Sequence, residues 1–112
     1  MTRGAFAQSL SNLSDGIFDA SALSGPADIL TREEKVVLLF DYTQLLGVHL
    51  PIANTSDFVD ISTLGAISQY AINVVQAGMI ITGRRENLFD PLANVTRAEA
   101  AVVLARLMAV KG

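Results

Sequence analysis

The sequence predicts an all-α fold, and three observations carry that prediction. Threonine–arginine pairs stand at Thr2-Arg3, Thr31-Arg32 and Thr96-Arg97. In the last two, a glutamate follows three residues after the threonine, as Glu34 and Glu99. That is the capping box, in which the threonine hydroxyl accepts from the N3 amide and the glutamate reaches back to the N-cap amide. Behind these starts, apolar residues recur at helical spacing. At 112 residues, the chain is expected to form one domain, 1–112, with one modest core.

The first helix starts at Thr2, where Ala5 stands in place of the glutamate and weakens the predicted cap. Residues 14–30, with Gly16, Gly25 and Pro26, read as a loop. The second helix runs from Thr31 to about Gly47. Its stripe is Val36, Leu39, Phe40 and Leu46, widened by Val37, Leu38 and Leu45. Residues 48–57, with Pro51 and Asn54, read as a second loop.

A third helix is expected from about Thr63 to Gln76, with Leu64, Ile67, Ala71, Val74 and Val75 on one face and Gly78 as its C-cap. Met79-Ile80-Ile81 is a short β-type run, and residues 83–95 read as a loop. The last helix, from Thr96 to about Val110, is apolar nearly all round. That pattern predicts a helix inside a bundle, and its alanines permit close helix approach.

Composition narrows the chemistry. Eight Lys/Arg against eleven Asp/Glu give a net charge of −3 and a pI near 4.9, which argues against general binding of a phosphate backbone. The absence of cysteine excludes disulfides, thiol catalysis and cysteine-based zinc sites. The single histidine, His49, lies near a helix end, where a C-terminal carbonyl is its expected partner. A hydrophobic fraction of 51% and a mean hydropathy of +0.43 exclude a disordered tail.

No stretch approaches the roughly 20 apolar residues of a membrane-spanning helix. Ala5-Phe6-Ala7 is too short for the apolar core of a signal peptide, so any such peptide lies outside this chain. Asp15, Asp19 and Asp28 do not meet the spacing of a calcium-binding EF-hand loop. There is no phosphate loop and no nucleophile–base pair. The expectation is a protein that is not an enzyme and needs no cofactor or metal.

Four ordered pieces between residues 58 and 108 have a further meaning. They are Phe58-Val59-Asp60-Ile61, then Ala71-Ile72-Asn73 on an amphipathic helix, then Ile80-Ile81-Thr82-Gly83. The fourth is Phe89-Asp90-Pro91 with Val95-Thr96-Arg97-Ala98-Glu99-Ala100-Ala101. Together they resemble the S-layer homology (SLH) repeat. Residues 31–47 match only its Thr-Arg-x-Glu helix, and residues 2–13 only Thr-Arg and an aromatic. Ile67 stands where the family usually has tryptophan, Met79 where it has a turn glycine, and Asn87 where a glycine precedes the closing phenylalanine. The resemblance therefore divides the chain into partial repeats at 2–30 and 31–56 and a complete one at 57–112.

The resemblance implies an SLH-like pseudo-trimeric bundle with the three Thr-Arg helices at its centre. It implies noncovalent attachment of a bacterial surface protein to cell-wall polysaccharide, often pyruvylated and anionic. Location would be extracellular, at the cell wall or S-layer, with no nucleic acid and no membrane insertion. An arginine in the first turn of a helix, beside unpaired N–H groups and the positive dipole end, suits an anion. By the family pattern, Arg97 is the first candidate for the glycan, Arg32 the second and Arg3 the third. Gly83 would let a sugar approach the backbone, and Arg84 with Arg85 would add positive field.

Plainer readings stand beside these. Arg97 and Arg32 would pair with nearby carboxylates on the surface, Arg84 and Arg85 would form a solvated turn, and Tyr70 would be a packing residue. Thr31, Glu34, Thr96 and Glu99 are structural caps under any function. The alternative function is a protein–protein or self-assembly module that has lost glycan binding. An apolar patch left by a missing outer helix would favour it.

Overall fold

The computed structural model describes residues 1–22, 25–47, 60–77 and 89–111. Among them the regular elements are helical: α1 (Arg3–Leu13), a 3₁₀ turn (Ala20–Ala22), α2 (Arg32–Leu46), α3 (Ala66–Ala77) and α4 (Arg97–Lys111). The fold is all-α, as the capping boxes and helical spacing predict. The expected loop at 48–57, His49, Gly78, the run Met79-Ile80-Ile81, and Gly83, Arg84 and Arg85 lie outside the described residues.

Each threonine of a Thr-Arg pair caps its helix. The Thr2 hydroxyl accepts from the Ala5 N–H at 3.1 Å, and the Thr96 hydroxyl from the Glu99 N–H at 3.1 Å. Thr31 forms the full box with Glu34, whose carboxylate accepts from the Thr31 N–H at 2.9 Å. Ala5 offers no such carboxylate, so α1 starts on half the device. At the other end of α2, Gly47 takes the left-handed conformation at φ 64°, which closes the helix without the penalty a Cβ would bring.

The three capped helices meet at their starts. The residue before each cap is Met1, Leu30 or Val95, and these three exchange backbone hydrogen bonds in a closed ring. Leu30 N donates to Met1 O at 2.9 Å, Val95 N to Leu30 O at 2.9 Å, and Met1 N to Val95 O at 3.3 Å. The N–H groups of a first helical turn have no partner within their own helix. Here the neighbouring segment supplies carbonyls. Arg3 N and Gly4 N donate to Asp28 O and Pro26 O, both at 2.9 Å. Arg32 N and Glu33 N donate in the same way to Ala93 O and Pro91 O, at 2.9 and 3.0 Å.

Pro26 and Pro91 each lie five residues before a capping threonine. The likeness around Thr31 therefore reaches back to Pro26, beyond the Thr-Arg-x-Glu helix alone. Among the described residues between α1 and α2, the regular structure is the 3₁₀ turn, in agreement with the reading of this stretch as a loop.

The core is fed by every helix. It comprises Phe6, Ala7 and Leu10 of α1, Val36, Leu39 and Tyr42 of α2, Ala71, Ile72 and Val75 of α3, and Ala100, Val103 and Leu107 of α4. Phe18, Leu30, Ile61, Phe89 and Val95 join from the connections. α3 packs on α2, where the Phe40 and Tyr70 rings meet edge-on at 5.5 Å. α1 packs on α2, on the 3₁₀ turn and on α4.

Three expectations are corrected. α3 begins at Ala66 rather than Thr63, because residues 61–64 are held in a turn by the Leu64 N–H donating to Ile61 O. Its buried face is centred on Ile72, so Ile67 is 75% exposed; Leu45 of α2 is likewise 56% exposed. α4 is not wrapped on all sides. Ala101, Val102, Ala105, Met108 and Ala109 are exposed, because among the described residues nothing packs over that face.

Candidate functional site

The site is built outward from Asp60. One carboxylate oxygen accepts from the Phe89 N–H at 2.9 Å and the other from the Asp90 N–H at 2.7 Å. This clip fixes the segment that leads into α4 against the segment that leads into α3. It holds Phe89 with its ring fully buried and its carbonyl turned to α2. Arg32, at the first position of α2, donates from Nε to that carbonyl at 2.7 Å. Its guanidinium lies 5.1 Å from the centre of the Phe89 ring, a cation–π distance, and its Nη1 is 3.4 Å from Glu99. The positive charge is thereby fixed in place.

Beside Arg32 a groove of about 280 Å³ opens between α2 and α4. Arg32 and Lys35 line it from α2, Glu99 and Arg106 from α4, with Ala98, Val102 and Val103 as apolar walls. Three cations thus face one carboxylate. Arg32 is 5% and Lys35 2% exposed. Buried charge costs desolvation energy and is weak evidence for stability. At such low exposure it acts on a ligand through a poorly screened field. The chemistry suited to this groove is an anion that accepts charge-assisted hydrogen bonds, attached to a body that can cover the apolar wall.

The residues predicted as sites separate. Arg32 lines the groove. Arg97 is exposed at the head of α4 and is not among the lining residues. Arg3 is engaged with Glu34 and lies 3.5 Å from Asp28. The surface-pairing reading therefore describes Arg3 better than Arg32, whose ion pair with Glu99 is largely buried. Gly83 and Arg84 lie outside the described residues. Tyr70 packs on Phe40 while remaining 62% exposed. Sequence reading missed Lys35 and Arg106. Lys35 stands three residues after Arg32, one helical turn on, and Arg106 interrupts the apolar run of α4. Both signals were visible but acquire meaning only across the groove.

Two carboxylates elsewhere are perturbed. The hydroxyl and N–H of Ser21 both donate to Asp19 and hold its pKa below the usual aspartate value. Partial burial raises that of Asp41. Among the described residues no cluster of His, Cys, Asp or Glu could hold a metal ion, and no helix is long and apolar enough to cross a membrane.

The model of the S-layer homology domain matches residues 57–101. That segment is an S-layer homology domain. The match includes the Asp60 clip, Phe89 and the Thr96-Arg97-Ala98-Glu99 start of α4. S-layer homology domains are in general cell-wall anchoring modules that bind wall polymers, which links the matched segment to cell-surface or wall-associated proteins. No curated protein and no solved structure matched the chain.

Proposed function

We propose that this S-layer homology chain holds a bacterial surface protein to the cell wall by noncovalent binding of an anionic, pyruvylated secondary polysaccharide. The observation that carries the reading is the pair of deeply buried cations, Arg32 and Lys35, beside an open groove in an acidic protein. A pyruvyl ketal presents a planar carboxylate on a sugar ring. The carboxylate sits in the field of these cations, and the ring's C–H face covers Ala98, Val102 and Val103. The backbone ring through Met1, Leu30 and Val95 supports a pseudo-threefold arrangement of the three capped helices.

Co-sedimentation with bacterial sacculi tests the proposal. The chain is expected to pellet with intact sacculi and to stay in solution when the secondary polysaccharide has been stripped. Equal pelleting with both, or with neither, would overturn it. A second reading, self-association, is favoured by the exposed apolar face of α4 at Ala101, Val102, Ala105, Met108 and Ala109. Failure to pellet together with a stable dimer in light scattering would support that reading instead.

A further inference from the structure

The ring of Met1, Leu30 and Val95 allows the three helix pairs to be compared position by position. Counted from the capping threonine, the first helical position is Arg3, Arg32 or Arg97, and the third is Ala5, Glu34 or Glu99. The ion pairs obey this register. Arg3 of α1 meets Glu34 of α2, and Arg32 of α2 meets Glu99 of α4. The donor–acceptor order of the ring sets the remaining pair as Arg97 of α4 against the third position of α1, which is Ala5.

The groove between α2 and α4 takes its cations from the first and fourth positions of α2 and from the tenth position of α4: Arg32, Lys35 and Arg106. The same positions of α1 and α2 hold Arg3, Phe6 and Asp41, with Glu34 paired to Arg3, while Glu33 accepts from Ser68 of α3. Between α4 and α1 they hold Arg97, Ala100 and Asn12. The hollow found between those two helices is lined by neutral residues, among them Ser9, Asn12 and Met108. One helix pair therefore gathers three cations against one carboxylate. The second has one cation against two carboxylates at these positions, and the third has a single arginine and no carboxylate.

We infer that, among the described residues, the groove between α2 and α4 is the working anion groove, and that Arg106 is its specificity-determining contact, in place of Arg97 at the family's Thr-Arg position. The inference rests on the wall-polysaccharide reading above. Arg32 is committed to Phe89 O and Glu99 and supplies fixed field. Arg106 lines the groove from the tenth position of α4 and is partly exposed, so a ligand seated in the groove comes within reach of its guanidinium. At the matching register position of α2 stands Asp41, whose negative charge does not favour an acid group.

The test is co-sedimentation with sacculi carrying their polysaccharide, for the full chain and for Arg106→Ala, Arg106→Lys and Arg97→Ala. Far-UV circular dichroism of each variant reports the fold. Arg106→Ala is expected to weaken binding by about tenfold or more, the effect of one charge-assisted hydrogen bond. Arg106→Lys should recover part of the loss, because it keeps the charge and the alkyl stem. Arg97→Ala should stay within about twofold of the parent, a change below half a kcal/mol. Parent-level binding by Arg106→Ala, or a loss in Arg97→Ala as large as that in Arg106→Ala, would overturn the inference and leave the anchoring function standing. If Arg106→Ala fails to fold, Arg106→Gln decides: a loss of about tenfold in a folded protein supports the inference, and parent-level binding refutes it. If the parent chain does not pellet, the function itself fails and this inference with it.

Discussion

Replacing Asp60 tests the structural logic most directly. Its two oxygens accept from the N–H groups of Phe89 and Asp90 at 2.9 and 2.7 Å. A hydrogen bond to a charged group contributes about 1.5–3 kcal/mol. Asp60 is only half-buried, so the lower end applies to each bond. Asp60→Ala should therefore cost about 2–4 kcal/mol. Asp60→Asn should cost at least half as much, because its amide nitrogen would face an N–H donor where a carboxylate oxygen now accepts. For a chain of this size, about 3 kcal/mol lowers Tm by roughly 10 °C. Urea unfolding followed by far-UV circular dichroism measures the change, and an unchanged m-value shows that the unfolded state is the same. If Asp60→Ala unfolds within about 0.5 kcal/mol of the parent, the clip does not hold the Phe89 segment. The account of how Arg32 is positioned would then fail with it.

Two further outcomes follow from local geometry. Thr31→Ala should destabilise by about 0.5–2 kcal/mol, and by more than Thr2→Ala, because Thr31 both caps α2 and donates to Glu34, which also holds Arg3; equal losses in urea titrations would contradict this. Asp41 has its pKa raised by burial, so the folded state holds its proton more tightly than the unfolded state, and the parent loses stability as pH rises from the usual carboxylate range through the raised value. Asp41→Asn should thus melt higher than the parent near neutral pH, with the gap shrinking toward pH 3, and a gap that does not depend on pH would refute this.

What could be read from the sequence was what is local along the chain. Thr31 and Glu34 stand one turn apart, so their cap is visible in four letters. Gly47 ends α2 for an equally local reason. α4 was misjudged because composition shows that Val102 and Met108 are apolar but not what lies over them. On α3, Ile67 and Ile72 both fit a helical stripe, and only packing on α2 decides that Ile72 is inside. Asp60 was legible as a motif letter, while its task, clipping a backbone 29 and 30 positions away, was not. The groove was least legible, since Arg32 and Arg106 meet only after the starts of α2 and α4 have been joined through Leu30 and Val95.

The ring at the helix starts sets the smallest unit that can do the work. The segment that matches the family, 57–101, contains Asp60, Phe89 and Glu99 but none of Arg32, Lys35 and Arg106. Cutting the chain along its repeat boundary would keep the signature intact and separate the two walls that face each other. The sequence is modular and the proposed recognition surface is not: the recognisable repeat is a part, and the proposed grip belongs to the seam between that part and a neighbour whose own signature has nearly faded.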